Sequence, residues 1–121
     1  MLLKDWIDTL EALPADAEVV FDFGASPAKL CSWRGIYAQL TLMYDDVGKA
    51  ATVAGLLVDA RAADGKTYTG YKGGDYVMSL DTPVWADDYG DCNYRGLIGT
   101  RIDDGKVVLI TADLSDYRVM W

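Results

Sequence analysis

A short segment occurs twice in this chain, and the repetition limits the folds that the chain can adopt. Cys31–Ile36, Cys-Ser-Trp-Arg-Gly-Ile, is matched 61 positions later by Cys92–Leu97, Cys-Asn-Tyr-Arg-Gly-Leu. An Asp-aromatic-Gly triplet precedes each copy, at Asp22–Gly24 and Asp88–Gly90. We call the two copies the first and second Arg-Gly segments. Two related segments predict two similar structural units around one core; chance similarity between two aromatic strands that bend at Arg-Gly is the alternative.

Hydrophobic periodicity predicts two helices and a series of short strands. Leu2–Leu13 has apolar residues at helical spacing with acidic residues between them. Thr52 is a good N-cap for a second helix that ends at about Ala63, just before Gly65. Asp64–Gly74 has the composition of a loop. Strands are predicted at Glu18–Phe23, Lys29–Trp33, Ile36–Tyr44, Tyr76–Leu80, Thr82–Ala86, Arg95–Ile102 and Lys106–Thr111.

This order of elements, a helix followed by strands and then the same again, predicts an α+β fold. We expect a mostly antiparallel sheet with two helices packed against it, and the repetition suggests pseudo-duplicated αβββ halves. Asp103–Gly105 is a strong signal for a tight hairpin turn between the last two strands. If the halves are duplicated, Arg34 and Arg95 should occupy equivalent sites on central strands. Because no low-complexity linker interrupts the chain, residues 1–121 are expected to form one domain.

Composition and charge exclude several classes of protein. The chain is 51% hydrophobic, which is enough for a packed core, and its net charge is -8. Seventeen of the nineteen acidic residues are Asp, which either reflects a fold rich in turns or forms a rigid negative surface for a basic partner. Direct binding to nucleic acid is not expected, since no basic stripe is present. The apolar runs are too short to cross a membrane and the N-terminus does not resemble a signal peptide, so we expect a cytoplasmic protein.

The residue types argue against catalysis. The chain contains no histidine, which removes the usual catalytic triads and His-ligated zinc. Cys31 and Cys92 are expected to be reduced, buried thiols that serve packing, although a disulfide between the two segments is the alternative. Asp87–Asn93 is rich in oxygen ligands but lacks the register of a calcium loop. We therefore expect neither an enzyme, nor a metal site, nor a cofactor.

Two groups of residues are candidates for binding. Arg34 and Arg95 either tie each Arg-Gly segment to a carboxylate such as Asp22 or Asp88, or to loop carbonyls, or they bind an anion. Gly70–Gly74 is a loop whose backbone a ligand can approach closely. The second group is an acidic edge with aromatic anchors inside it, which would meet a basic partner. Its predicted members are Asp87, Asp88, Asp91, Asp103 and Asp104 for the charge, and Tyr71, Tyr89 and Trp85 for the anchors.

Several stretches also resemble a known group of proteins. They are Leu13–Asp22, Trp33–Leu40, Thr52–Leu57, Thr69–Gly74 and Thr82–Trp85, and together they resemble small accessory proteins encoded by phages and prophages. The resemblance implies a phage-borne protein that acts in the cytoplasm of an infected bacterium. It carries no catalytic residues over to this chain.

The resemblance and the charge together suggest an anti-CRISPR-like inhibitor. Such a protein would block a host nucleic-acid-processing complex, for example a CRISPR effector, by contact with the basic surface of that complex. One alternative is a small-molecule or nucleotide binder, or an enzyme, that uses Arg34, Arg95 and Gly70–Gly74. Another is a structural protein of phage morphogenesis.

Overall fold

The computed structural model describes residues 1–45, 50–70, 72–87 and 94–114. Over these residues the chain forms two helices and nine strands. They are α1 (Leu3–Glu11), β1 (Glu18–Phe21), β2 (Ser26–Ser32), β3 (Leu40–Asp45), β4 (Ala51–Thr52), α2 (Val53–Ala63), β5 (Thr67–Thr69), β6 (Asp75–Val77), β7 (Val84–Ala86), β8 (Arg95–Asp103) and β9 (Lys106–Asp113). The predicted α+β class is confirmed.

The strands form one large sheet and one small sheet. The large sheet has the order β2-β3-β7-β8-β9-β1-β4, and β5 pairs with β6 separately. Within the large sheet, β1 pairs parallel with β9 and β3 pairs parallel with β7, while the remaining pairs are antiparallel. The sheet is therefore mostly antiparallel, as predicted, but its first strand lies beside its last.

The helices form as their sequences predict. In α1, Leu3, Trp6 and Leu10 are buried, and they lie on one face because their spacing is close to the helical repeat. The Thr52 hydroxyl caps α2 by accepting a hydrogen bond from the Gly55 amide at 3.2 Å. Both helices contribute to the main apolar core, which also includes alternate residues of the strands, such as Phe21 and Leu109. No helix of the described residues is long and apolar enough to cross a membrane.

Several boundary predictions were wrong. Residues 36–39 are not a strand: the Gln39 amide closes a turn on the Ile36 carbonyl at 2.9 Å, and β3 begins only at Leu40. The stretch predicted as a loop, Asp64–Gly74, contains β5, because the alternation of Thr67–Thr69 buries Tyr68 against the core.

The two Arg-Gly segments are not structurally equivalent, so the prediction of matching central-strand sites was wrong. Arg34 lies in a bend that follows β2 at the edge of the sheet, whereas Arg95 begins β8 in its middle. The Gly35 and Gly96 backbones also meet different neighbours, the Trp33 indole in one case and the Leu114 side chain in the other. The arrangement therefore does not show two duplicated halves.

Cys31 is a free thiol on β2 that is only partly buried. Burial raises the pKa of this thiol above its ordinary value, although the nearby Lys29 ammonium opposes the effect. A raised pKa keeps the group protonated and weakly nucleophilic, which fits a role in packing. Cys92, the other predicted buried thiol, lies outside the described residues.

Candidate protein-binding surface

Two of the predicted acidic residues lie at the tip of the β8–β9 hairpin. Asp103 pairs with Lys106 across a two-residue turn made by Asp104 and Gly105. Both turn residues have positive φ, 51° and 77°, as a type I′ turn requires. Asp tolerates this left-handed conformation better than most residues, and Gly has no side chain to oppose it. The turn therefore presents the Asp103 and Asp104 carboxylates to solvent.

The parallel pairing of β1 with β9 brings further acidic residues to the same end of the sheet. Val19 lies opposite Val107, so Glu18 comes beside Lys106, and its Oε2 is 3.2 Å from Lys106 Nζ. Asp16 precedes Glu18 by two residues and is exposed. We call Asp16, Glu18, Asp103 and Asp104 the acidic end of the sheet.

Two exposed isoleucines on β8 lie next to the acidic end. Ile102 directly precedes Asp103 and is 58% exposed, and Ile98 is 55% exposed. In the described residues β7 pairs with β8 at a single position, Trp85 opposite Gly96, so β8 extends beyond its neighbour here. Single exposed apolar residues are ordinary, but a pair on one strand beside a charged turn resembles an interface with apolar contacts and a polar rim.

The structure does not place Trp85 and Asp87 on an accessible surface. Trp85 is 1% exposed, stacks on Trp33 with ring centroids 4.6 Å apart, and donates from Nε1 to Gln39 Oε1 at 2.7 Å. Tyr94 contacts both indoles edge-on. Asp87 is 5% exposed. The aromatic cluster of Trp33, Trp85 and Tyr94 thus belongs to the interior, and neither Trp85 nor Asp87 forms part of an exposed acidic edge.

The predicted edge is also divided by the direction of the strands. Since β7 runs antiparallel to β8 with Trp85 opposite Gly96, Asp87 lies at the Arg95 end of β8. The hairpin tip is eight residues further along, or roughly 26 Å at the rise of a β-strand. Nearness in sequence between Asp87 and the tip was therefore misleading. Asp88, Asp91, Tyr71 and Tyr89 lie outside the described residues, so their predicted roles stay predictions.

Arg95 is linked to Asp22, one of the carboxylates that the sequence suggested, through Thr111, which the sequence did not identify. Its Nη1 donates to the Thr111 hydroxyl at 3.0 Å, and that hydroxyl donates to Asp22 Oδ1 at 2.8 Å. The Thr111 amide donates to the other Asp22 oxygen at 2.9 Å. These bonds tie β8, β9 and the end of β1 together, which supports the structural interpretation of the Asp22 carboxylate and the Arg95 guanidinium.

Among the described residues of the predicted small-molecule site, the glycines bond to one another. The Gly70 amide donates to the Gly74 carbonyl at 2.6 Å, and the Gly73 amide donates to the Gly70 carbonyl at 2.9 Å. A Cβ on Gly70 would lie 3.3 Å from the Tyr37 Cβ, so this turn packs against the bend that contains exposed Arg34. Gly70 thus serves close packing rather than close approach of a ligand.

A surface groove of about 360 Å³ beside the start of α2 has little binding chemistry. The first amides of α2 are already used, because Val53 donates to the Ala17 carbonyl and Ala54 to the Ala15 carbonyl. The described residues contain no group of three or more His, Cys, Asp or Glu that could hold a metal ion.

Comparison of the chain with protein-family models, with curated protein sequences and with solved structures gives no match. The case for a function therefore depends on the residues themselves. The surface that best combines charge with exposed apolar area is the acidic end together with Ile98 and Ile102.

Proposed function

We propose that this chain is a non-enzymatic protein that binds a basic partner protein through the acidic end of its sheet. The observation that carries the proposal is the direct adjacency of exposed Ile102 to Asp103 and Asp104 at the hairpin tip. Exposed charge steers a partner of opposite sign, and apolar contacts next to that charge supply affinity once the partner has arrived.

The class of partner follows from the chemistry of the surface. A groove that grips nucleic-acid phosphates is strongly basic and accepts a compact acidic surface. The net charge of -8 favours association with such a groove. Combined with the resemblance to phage accessory proteins, this supports an inhibitor of a host nucleic-acid-processing complex, such as a CRISPR effector, in the bacterial cytoplasm.

The proposal can be tested with a charge variant and a matched control. Asp103→Asn/Asp104→Asn removes two negative charges at the hairpin tip and changes the net charge from -8 to -6. Asp64→Asn/Asp75→Asn makes the same change at two exposed positions, one just after α2 and one at the start of β6. Asn also accepts the left-handed conformation of residue 104, so the turn should be retained.

The measurement is association with purified CRISPR effector complexes, and inhibition of their nuclease activity, at several salt concentrations. We expect the tip variant to associate several-fold more slowly, with a flatter salt dependence, while the control variant behaves like the parent. Ile102→Ser should instead raise the dissociation rate. Equal binding and inhibition by parent, tip variant and Ile102→Ser would contradict the proposed surface, and absence of binding by the parent would contradict the proposed class of partner.

A further inference from the structure

Within the described part of the chain, the outer edge of β8 has little strand pairing. On its inner side β8 pairs with β9 from Arg95 to Asp103. On its outer side, among the described residues, β7 pairs with it only at Gly96. The stretch from Thr100 to Asp103 therefore has no strand partner on that side in the described part of the chain.

The pairing with β9 determines which backbone groups point outward. The two residues that flank a two-residue turn form a hydrogen-bonded pair, so the backbones of Asp103 and Lys106 bond to each other. The next pair along the ladder, Ile102 and Val107, is then a non-hydrogen-bonded pair. Alternation then directs the amides and carbonyls of Ile102 and Thr100 away from β9. The partner strand agrees with this assignment of outward groups. Leu109, which lies opposite Thr100, directs its carbonyl away from β8 and toward β1, where it accepts from the Asp22 amide at 2.9 Å.

A hydrogen bond also lies further along the same edge, before the register shift between Leu97 and Gly99. The Met1 ammonium group lies 3.5 Å from the Leu97 carbonyl and donates to it, from the outer side of β8. The edge is thus already used as an acceptor at Leu97, and it continues past Met1 with the outward groups of Thr100 and Ile102.

The outer edge of β2 shows how a protected edge of this protein looks. On β2 the ladder shifts register between Pro27 and Leu30, exposed Lys29 lies in that irregular stretch, and the Leu30 amide donates to Asp59 Oδ2 of α2 at 2.8 Å. Proline, a bulge, a lysine and a side-chain cap are all devices that prevent further pairing. The β8 ladder also shifts register, between Leu97 and Gly99, but from Thr100 to Asp103 it is regular. In that stretch only the charges of Arg101 and Asp103 oppose further pairing.

We propose that an extended segment of a basic partner adds to the outer edge of β8 as an antiparallel strand. This inference rests on the proposed function and specifies its mode of recognition, in which backbone hydrogen bonds give affinity and alternate side chains give specificity. The segment would place basic residues opposite Asp103 and Asp104, an apolar residue opposite Ile102, and an uncharged or acidic residue opposite Arg101.

A second copy of this chain fits the edge less well than a basic segment. Each copy carries a net charge of -8, so two acidic ends would repel each other. The open stretch is also four residues long, and a stable dimer usually buries about 1,200 Å² or more. A short segment that brings its own positive charge avoids the repulsion.

The probe is a synthetic peptide, acetyl-Lys-Lys-Val-Thr-Val-Thr-amide, added to the full chain and followed by NMR. The control peptide has the same composition in the order Val-Val-Lys-Thr-Thr-Lys, which keeps the charge and loses the alternation. Without peptide, the Thr100 and Ile102 amides should exchange with solvent at least tenfold faster than the Arg101 amide, which bonds to β9. With millimolar probe, exchange at Thr100 and Ile102 should slow several-fold, and the control should have a smaller effect.

The variant that tests the backbone contact is Thr100→Pro, which removes the outward N–H and leaves the β9 ladder intact. Its control is Thr100→Val, which retains the N–H. Thr100→Val should bind the probe and Thr100→Pro should lose binding, with the hairpin of both checked through the Arg101 amide. If an unfolded hairpin makes Thr100→Pro uninformative, the exchange rates of the parent with and without probe decide the question.

The outcomes separate this inference from the proposed function. If Asp103→Asn/Asp104→Asn weakens binding of the basic complex while the Thr100 and Ile102 amides stay unprotected in the parent, the surface is right and strand addition is wrong. If the probe slows exchange of these amides but the basic complex does not bind, strand addition is supported and the proposed class of partner is wrong. Protection that depends on protein concentration without peptide would overturn the inference in favour of a second copy.

Discussion

Gly35 and Gly96 occupy the same place in the two Arg-Gly segments for different physical reasons. A Cβ on Gly35 would lie 2.6 Å from Trp33 Cζ2, and the indole cannot move aside because it stacks on Trp85. On Gly96 a Cβ would meet the end of the Leu114 side chain, which can rotate. Glycine is thus required at Gly35 by a rigid ring, whereas at Gly96 it accommodates a flexible neighbour.

We predict that Gly35→Ala destabilises the protein by about 1–3 kcal/mol, because the added methyl group overpacks the space beneath Trp33. Gly99→Ala is the matched control, since a Cβ there meets no atom within 4 Å. Urea unfolding followed by tryptophan fluorescence measures both the stability and the environment of the Trp33–Trp85 stack. Equal stability of the two variants would contradict the packing argument.

Tyr68 should make stability fall at high pH. Burial, with a further contribution from the Asp59 carboxylate, raises the pKa of Tyr68 to about 12, above the ordinary value of 10.0. Between these two values the unfolded chain loses the phenolic proton while the folded chain keeps it. The unfolded state then binds fewer protons, and the free energy of unfolding decreases as pH rises.

The test is the difference in free energy of unfolding between the parent and Tyr68→Phe, measured from pH 8 to pH 12. The buried Tyr68 hydroxyl has no hydrogen-bond partner among the described residues, so Phe should be neutral or slightly stabilising near pH 8. Above pH 10 the parent should lose stability relative to Tyr68→Phe, while the other tyrosines contribute equally to both proteins. Parallel curves over the whole range would show that Tyr68 titrates normally.

At the scale of the elements, the sequence predicted correctly those features that depend only on residues close together in the chain. The spacing of Leu3, Trp6 and Leu10, the cap at Thr52 and the turn at Asp103–Gly105 each depend on neighbouring residues, and each is confirmed. The strand predicted over Ile36–Tyr44 failed at its beginning, because the turn there is closed by the Ile36 carbonyl and stabilised by the Ser32 hydroxyl, which donates to the Tyr37 carbonyl at 2.7 Å.

Long-range pairing was beyond the reach of these signals. The parallel contact of β1 with β9 joins the first and last strands, and only this contact brings Glu18 and Asp16 to the hairpin tip. Nothing in the alternation of either strand specifies that partner. Ile98, Thr100 and Ile102 alternate in the sequence of a predicted strand, but the register shift between Leu97 and Gly99 interrupts this alternation in the structure. No local signal shows where β7 ends, so the open edge of β8 could not be predicted either.

At the scale of the whole molecule, the sheet has two chemically different ends beside β8. The Arg95 end carries structural contacts, the stacked tryptophans and the network of Arg95, Thr111 and Asp22. The hairpin end is exposed and acidic, with apolar residues on the adjoining strand. The proposed binding surface therefore lies at the end of β8 away from these structural contacts.

The excess of acidic residues should make stability increase with salt. Nineteen acidic residues oppose eleven basic ones, so compaction brings like charges together and screening relieves the repulsion. The ion pairs Lys4–Asp81, Arg61–Glu11 and Lys106–Glu18 work in the opposite direction, because salt weakens them. All three are substantially exposed, and such pairs typically contribute only about 0–1 kcal/mol each.

We therefore expect the free energy of unfolding in urea to rise by about 1 kcal/mol between 0.02 M and 0.5 M NaCl, since the Debye length falls to a few ångströms over that range. Asp64→Asn/Asp75→Asn, with a net charge of -6 instead of -8, should start from a higher stability at low salt and gain less on salt addition. A stability that falls with salt in both proteins would mean that the surface ion pairs outweigh the general repulsion. In that case the local ion pairs, and not the excess of negative charge, would determine how the free energy of unfolding depends on salt.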